Sequence, residues 1–223
     1  MKIKTTVYAA VLAGALGMAS LSAQATPQMS LTVSDGVHSV HYTDMWSPGS
    51  ILWIGSLDSW NFNVTTATSG APDANANPGL DLNTISRYSG TGSSTLTFTL
   101  VANGFTTPQG VNEMASGIGG TLANGGSISA TSFLNGSAVY STGDLAGGFG
   151  GQFGNGNDTT VDPTGTYSLG TMVSLTQSGP GQTSFDSSVS VPEPGTLGLM
   201  GLALLGLGWM RRSRPAMAKV ASA

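Results

Sequence analysis

The sequence contains no cysteine. That excludes a disulfide scaffold, thiolate metal sites and a cysteine nucleophile. Charge is scarce as well: 8% of the 223 residues are charged, against roughly 25% in an ordinary soluble domain. Such scarcity fits a membrane protein or a secreted β protein rich in Ser and Thr. Positive charge is almost missing between the two ends. From Thr26 to Val191 Arg87 is the only basic residue, and it faces ten acidic ones, a net charge of −9. Nucleic-acid binding needs a basic footprint, so no nucleic-acid partner is expected. Catalytic signatures are missing too. No G-x-S-x-G elbow and no H-E-x-x-H pair occurs, and the carboxylate pair of a glycosidase cannot be picked out from spacing alone. The body is therefore not expected to be an enzyme. Gly and Pro, 33 and 10 residues, stay below the roughly 25–30% of a disordered low-complexity chain. A folded, loop-rich middle is expected.

The sequence does carry two address-like ends. Lys2 and Lys4 precede an apolar, small-residue run from Thr5 to Leu21, and Ala23-Gln24-Ala25 follows it. This is the order of a secretory signal peptide, cut by signal peptidase after Ala25; the other reading is an uncleaved anchor. At the far end, "SVPEPGTLGLMGLALLGLGWMRRSRP" runs from Ser190 to Pro215. Gly195 to Met210 is uncharged. As a helix it spans roughly 24 Å, short of the roughly 30 Å hydrocarbon core, a gap that snorkelling of Arg211 and Arg212 or local thinning would fill. Pro194 suits the first helical position. Arg211, Arg212 and Arg214 read as a stop-transfer cluster. Both charge clusters would stay inside, which leaves the body outside.

Val191-Pro192-Glu193-Pro194, the Gly/Leu-rich run and the arginine cluster together resemble the PEP-CTERM sorting signal of Gram-negative bacteria that make exopolysaccharide. The resemblance implies recognition by exosortase, a membrane protease-transpeptidase, with a cut near the Pro-Glu-Pro strip. It implies transient anchoring in the inner membrane, then release or re-anchoring at the cell surface. Ser213 and the tail after Pro215 depart from the usual pattern. Two stretches of the body, "GSLDSWNFNVTTATS" and "GLDLNTISRYSGTGSSTLTFTL", are similar to other PEP-CTERM proteins, a likeness that brings no activity with it.

Between the ends the dominant period is two, the signature of half-buried strands. "SWNFNVT" puts Trp60, Phe62 and Val64 on one face; "STLTFTL" does the same with Leu96, Phe98 and Leu100. Asp35-Gly36 between two alternating runs predicts a hairpin. In "TYSLGTMVSLTQ" the spacing of apolar residues predicts a frame shift around Gly170, where a bulge is expected. Ser69–Gly79 and Gly143–Gly165 read as long loops. The expected fold is all-β: a single antiparallel sandwich or jelly roll of nine to eleven strands, flanked by a signal-peptide helix and a C-terminal transmembrane helix. The organisation expected is a signal peptide at 1–25, a body at 26–180, a linker at 181–190, the sorting signal at 191–215 and a tail at 216–223.

Three weaker patterns remain. "GNGNDTTVD" partly resembles the glycine-rich calcium nonapeptide of β-rolls, with Asp158 and Asp162 as oxygen ligands. That motif works by repetition, and here it occurs once, so a polar hairpin tip competes with a calcium site. No other cofactor is expected. His38 and His41 are three apart, on opposite faces of a strand. Trp53 and Trp60 read as core, whereas Trp46, beside Ser47-Pro48-Gly49, could stack on a sugar. Two functions follow: a structural or interaction protein of the surface or exopolysaccharide matrix, or a carbohydrate- or calcium-binding module.

Overall fold

A computed structural model describes residues 28–44, 49–69, 78–106, 108–123, 125–146 and 152–192. The signal peptide, the apolar run and the arginine cluster expected from the sequence lie outside them. So does most of the loop expected between Ser69 and Gly79. Among the described residues the chain is all-β and forms two antiparallel sheets.

The first sheet holds β1 (Gln28–Ser34), β2 (Ser39–Thr43), β6 (Ser94–Phe105), β8 (Ser127–Leu134), β10 (Leu145–Ala146) and β12 (Tyr167–Gln177), in the order β10-β8-β12-β6-β1-β2, with β9 (Ser137–Ser141) also paired to β8. The second holds β3 (Ser50–Leu57), β4 (Trp60–Ser69), β5 (Gly79–Tyr88), β7 (Asn112–Thr121), β11 (Gln152–Val161) and β13 (Gly181–Ser190), in the order β11-β7-β13-β5-β4-β3. The Asp35-Gly36 signal makes the β1–β2 hairpin, with Ser34 paired to Ser39. The alternating runs bury the expected faces: Trp60, Phe62, Val64, Leu96, Phe98 and Leu100 are all at most 3% exposed.

The core lies between the sheets. Its spine is a run of rings that crosses from one sheet to the other and back. Trp53 packs on Phe62, Phe62 on Phe98 and Phe98 on Phe185, with centroids 4.8, 5.9 and 5.5 Å apart and planes at 65° to 88°. Edge-to-face contact of this kind adds to the burial of the rings themselves. Trp53 is only half-buried, but it is on the inward face as its neighbours predict. Trp60 is fully buried, and its indole N–H donates to Ser94 Oγ at 3.0 Å.

Four expectations need correction. The linker expected at 181–190 is strand β13, hydrogen-bonded between β5 and β7 in the interior of its sheet. Its hydroxyls at Thr183 and Ser187 face inward and are buried, which breaks the apolar alternation that would have announced a strand. The long loop expected over Gly143–Gly165 contains β10 and the ten-residue β11. Glycine is tolerated there because β11 is an edge strand laid on an equally glycine-rich β7, with Gly154 opposite Gly119 and Gly156 opposite Gly117. The frame does not slip at Gly170. Tyr167, Leu169, Thr171, Val173 and Leu175 all face inward, and the register shift comes earlier, where β6 has Gly104 as the extra residue between Asn103 and Phe105. Gly104 has a φ of 109°, which a bulge position demands and glycine supplies. Finally, the strands number thirteen among the described residues, not nine to eleven.

Candidate functional site at the sorting junction

β13 points Phe185, Ser187, Val189 and then Val191 toward the core. Val191 continues the inward parity one step past the strand and is 0% exposed. Its N–H donates to the carbonyl of Pro78 at 2.9 Å, just before β5 begins. Pro192 follows and is exposed. Proline has no N–H to continue the ladder and holds the preceding residue extended, so the strand ends there by chemistry. Valine and proline thus divide the work: Val191 closes the core and Pro192 leads the chain out. Glu193, Pro194, Arg211, Arg212 and Arg214 lie outside the described residues, as do Ala23, Ala25 and Trp46.

Both ends of the described chain leave from one pole of the sandwich. Met29, at the start of β1, accepts from the Asp44 N–H at 2.9 Å through its carbonyl and receives the Thr66 hydroxyl on Sδ at 3.5 Å. Thr66 is near the end of β4, whose Ser69 is opposite Gly79, and Gly79 is in turn opposite Ser190. The entry at Gln28 and the exit at Val191 are therefore at the same pole.

The outer face of the second sheet holds the other polar feature. A shallow depression is lined by Asp81, Gly117, Gly119, Asn155, Asp186 and Ser188. Register puts Ser188 opposite Asp81 and Asp186 opposite Asn83, so the two aspartates are diagonal neighbours on one face. Partial desolvation, a hydrogen bond to Asp186 and the like charge of that carboxylate push the Asp81 carboxyl up to about 6. The glycines of β7 leave the floor without side chains. Nothing in the sequence pointed to this pair, because its second member lies in the stretch read as a linker.

The remaining candidates are placed apart. Asp158 is exposed on β11, opposite Ala115, and Asp162 follows just past the strand. Four residues of extended chain separate them by roughly 13 Å, so the stretch is a strand and not a cage of loop carbonyls around one ion. His38 is in the β1–β2 turn, where Asp35 Oδ1 accepts the backbone N–H groups of His38 and Val37 at 2.6 and 2.8 Å. Those two bonds, the one from His38 first, hold the Asp35 carboxyl below the usual carboxylate range. His41 has both ring nitrogens engaged, by Thr32 and Thr43 hydroxyls at 3.0 Å. Among the described residues no group of three or more His, Asp or Glu could hold a metal ion.

Residues 190–212 match the model of the PEP-CTERM protein-sorting motif. No curated protein matches the sequence. Among solved structures the chain is similar to TmCBM61 in complex with beta-1,4-galactotriose, at 14% identity over 60% of this chain and 88% of that one, with a TM-score of 0.32. It is similar also to infectious bursal disease virus Gx strain, at 14% identity over 75% of this chain and 56% of that one, with a TM-score of 0.34. Neither likeness is close enough to bear on ligand or activity. The motif implies processing by exosortase and sorting to the cell surface of a Gram-negative bacterium. This chain carries a PEP-CTERM protein-sorting motif, joined without a spacer to the last strand of a β-sandwich.

Proposed function

We propose that the protein is an exosortase-processed structural or interaction protein of the cell surface or exopolysaccharide matrix, without catalytic activity. One observation carries the reading: the sorting motif begins at the residue where β13 ends, so its Pro-Glu-Pro strip is the first segment past the closed core. On this reading signal peptidase removes residues 1–25, and the apolar run from Gly195 to Met210 holds the chain in the membrane until the cut. The test is a double variant, Pro192→Ala with Glu193→Ala, followed by intact mass in host membranes and culture medium. Full-length precursor retained in the membrane is the expected outcome. Unchanged processing and release would refute the sorting reading.

A second reading, carbohydrate binding by the sandwich, has one specific feature in its favour. The depression on the outer face presents Asp81, Asp186, Asn155 and Ser188, a set of hydrogen-bonding groups suited to sugar hydroxyls. Calorimetric titration with host exopolysaccharide, with and without calcium, tests it: heat that disappears in Asp186→Ala supports it, and flat titrations dispose of it.

A further inference from the structure

The four edges of the two sheets are not equally protected. Soluble proteins keep sheet edges from pairing by making them short, charged, bulged or covered. β2 has five residues, β9 has five with an irregular register against β8, and β10 has two. β11 carries Asp158 and two glycines. β3, Ser-Ile-Leu-Trp-Ile-Gly-Ser-Leu, has eight residues, no charge, no proline and an unbroken register with β4. Its outer face shows Leu52 at 70% and Ile54 at 73% exposure. Ile54 is opposite the exposed Asn63 and Leu52 opposite the exposed Thr65, so these two apolar side chains stand at the edge itself.

The hydrogen-bonding groups of β3 can be assigned. Ile51 N–H donates to Thr66 Oγ1 at 2.8 Å, and the Ile51 carbonyl lies 3.4 Å from that same oxygen. Ile51 therefore turns both polar groups toward β4. Alternation along an antiparallel strand then turns those of Leu52, Ile54 and Ser56 to the open edge. Among the described residues β3 pairs with β4 alone.

We propose that β3 is a homotypic docking edge that pairs antiparallel with β3 of a second copy, with Leu52 opposite the second copy's Ile54. Three requirements select this partner and register. Two-fold pairing must match open-edge residues with open-edge residues, and must keep outward side chains on one face; both hold when the numbers of paired residues sum to an even total. Among such registers, centring the two-fold on Trp53 sets Leu52 against Ile54 twice and Ser50 against Ser56 twice. Centring on Leu52 or Ile54 leaves an apolar side chain facing serine. β3 is thus complementary to itself, as an isologous interface must be, and it brings no like charges together although the body is strongly acidic. The inference does not depend on the sorting route or on a sugar ligand.

The test uses the full chain in two differently tagged copies, co-expressed and recovered through one tag in mild detergent. Wild-type copies are expected to co-purify. Leu52→Lys with Ile54→Lys sets lysine against lysine twice and should cut co-purification by about tenfold or more. Leu52→Lys with Ile54→Glu sets lysine against glutamate twice and should restore it. Because the chain has no cysteine, a Leu52→Cys copy mixed with an Ile54→Cys copy should form a disulfide under mild oxidation. Leu52→Cys alone should not, its sulfurs being diagonal and about 7–8 Å apart at the backbone. All substituted positions are exposed, and melting midpoints near wild type will show that the variants fold. Wild-type copies that fail to co-purify, a double lysine variant that co-purifies undiminished, or a lysine–glutamate variant as weak as the double lysine would each overturn the proposal.

Discussion

Ending the chain after Pro180, where the sequence alone would place the limit of the body, should abolish the fold; ending it after Pro192 should not. The difference is β13 and Val191. Phe185, Val189 and Val191 are each at most 2% exposed. Burying a side chain of this size contributes about 1.5–3 kcal/mol, so the three together are worth about 5–9 kcal/mol. An extended-chain reference overstates this somewhat. Even the lower figure rivals the whole stability of a small domain, about 5–15 kcal/mol. The ladder adds to the loss, because β13 pairs with β5 from Gly181 to Ser190 and with β7 from Ser184 to Ser190. Without it, β7 and β11 lose their connection to β5, β4 and β3. The assay is urea unfolding of residues 28–180 and 28–192, followed by tryptophan emission, since Trp60 is fully buried. The longer chain should unfold in one cooperative transition and the shorter one should show none. A transition in the shorter chain with the same midpoint and slope would refute the reasoning. If the chain is processed as proposed, a cut that removes β13 would unfold the body, so the product is expected to keep that strand.

Two further outcomes follow from the geometry. Thr171 Oγ1 and Ser187 Oγ are 3.0 Å apart in the core and bridge the two sheets; Thr171→Val or Ser187→Ala alone should cost about 1–3 kcal/mol by stranding the other hydroxyl, and the double variant should cost less than the sum. Additive losses in urea titrations would show that the bridge is not a coupled pair. Because the Asp81 carboxyl is raised from 3.8 to about 6, it contributes stability that is complete below about pH 4 and lost as pH rises through 6. Asp81 is exposed, so solvent screening reduces the effect to about 1 kcal/mol. Asp186→Asn should be more stable than wild type at pH 7.5 and should lose that advantage at pH 4; a wild-type-minus-variant difference that stays flat across this range would count against the pair.

Bridges such as that from Thr171 to Ser187 also explain where sequence reading succeeded and where it failed. Strands whose inward positions are all apolar, such as Trp60-Phe62-Val64 and Leu96-Phe98-Leu100, were legible because hydropathy reports the face directly. β12 puts Thr171 inward between Leu169 and Val173, and that one hydroxyl imitates a frame slip at Gly170. β13 puts Thr183 and Ser187 inward beside Phe185 and Val189, and the two hydroxyls make a central strand read as a spacer. Each residue is polar in the sequence but paired in the fold, Ser187 with Thr171 and Thr183 with Gln177. Pairings at such separations cannot be seen along one chain. β11 failed for a different reason: its glycines announce a loop by propensity, and only its register against Gly117 and Gly119 makes it a strand. The Asp81–Asp186 pair was hidden by the same misreading of β13. The sorting motif needed no tertiary context, because its order of Pro-Glu-Pro, apolar run and arginines is local.

The position of the chain exits bears on how the proposed edge would be used. Gln28 and Val191 leave from one pole, while β3 runs along the side of the sandwich from that pole, where Ser50 lies, to the Asp58-Ser59 turn. On the proposed route a body held by its chain end therefore turns that pole to the membrane and leaves β3 open laterally. Copies held on one surface would meet at an effective concentration far above that in solution, which would favour the same edge pairing further. On these two proposals the features would act in sequence: the motif would deliver and orient the body, and the uncharged edge would be what that orientation makes available to a neighbour.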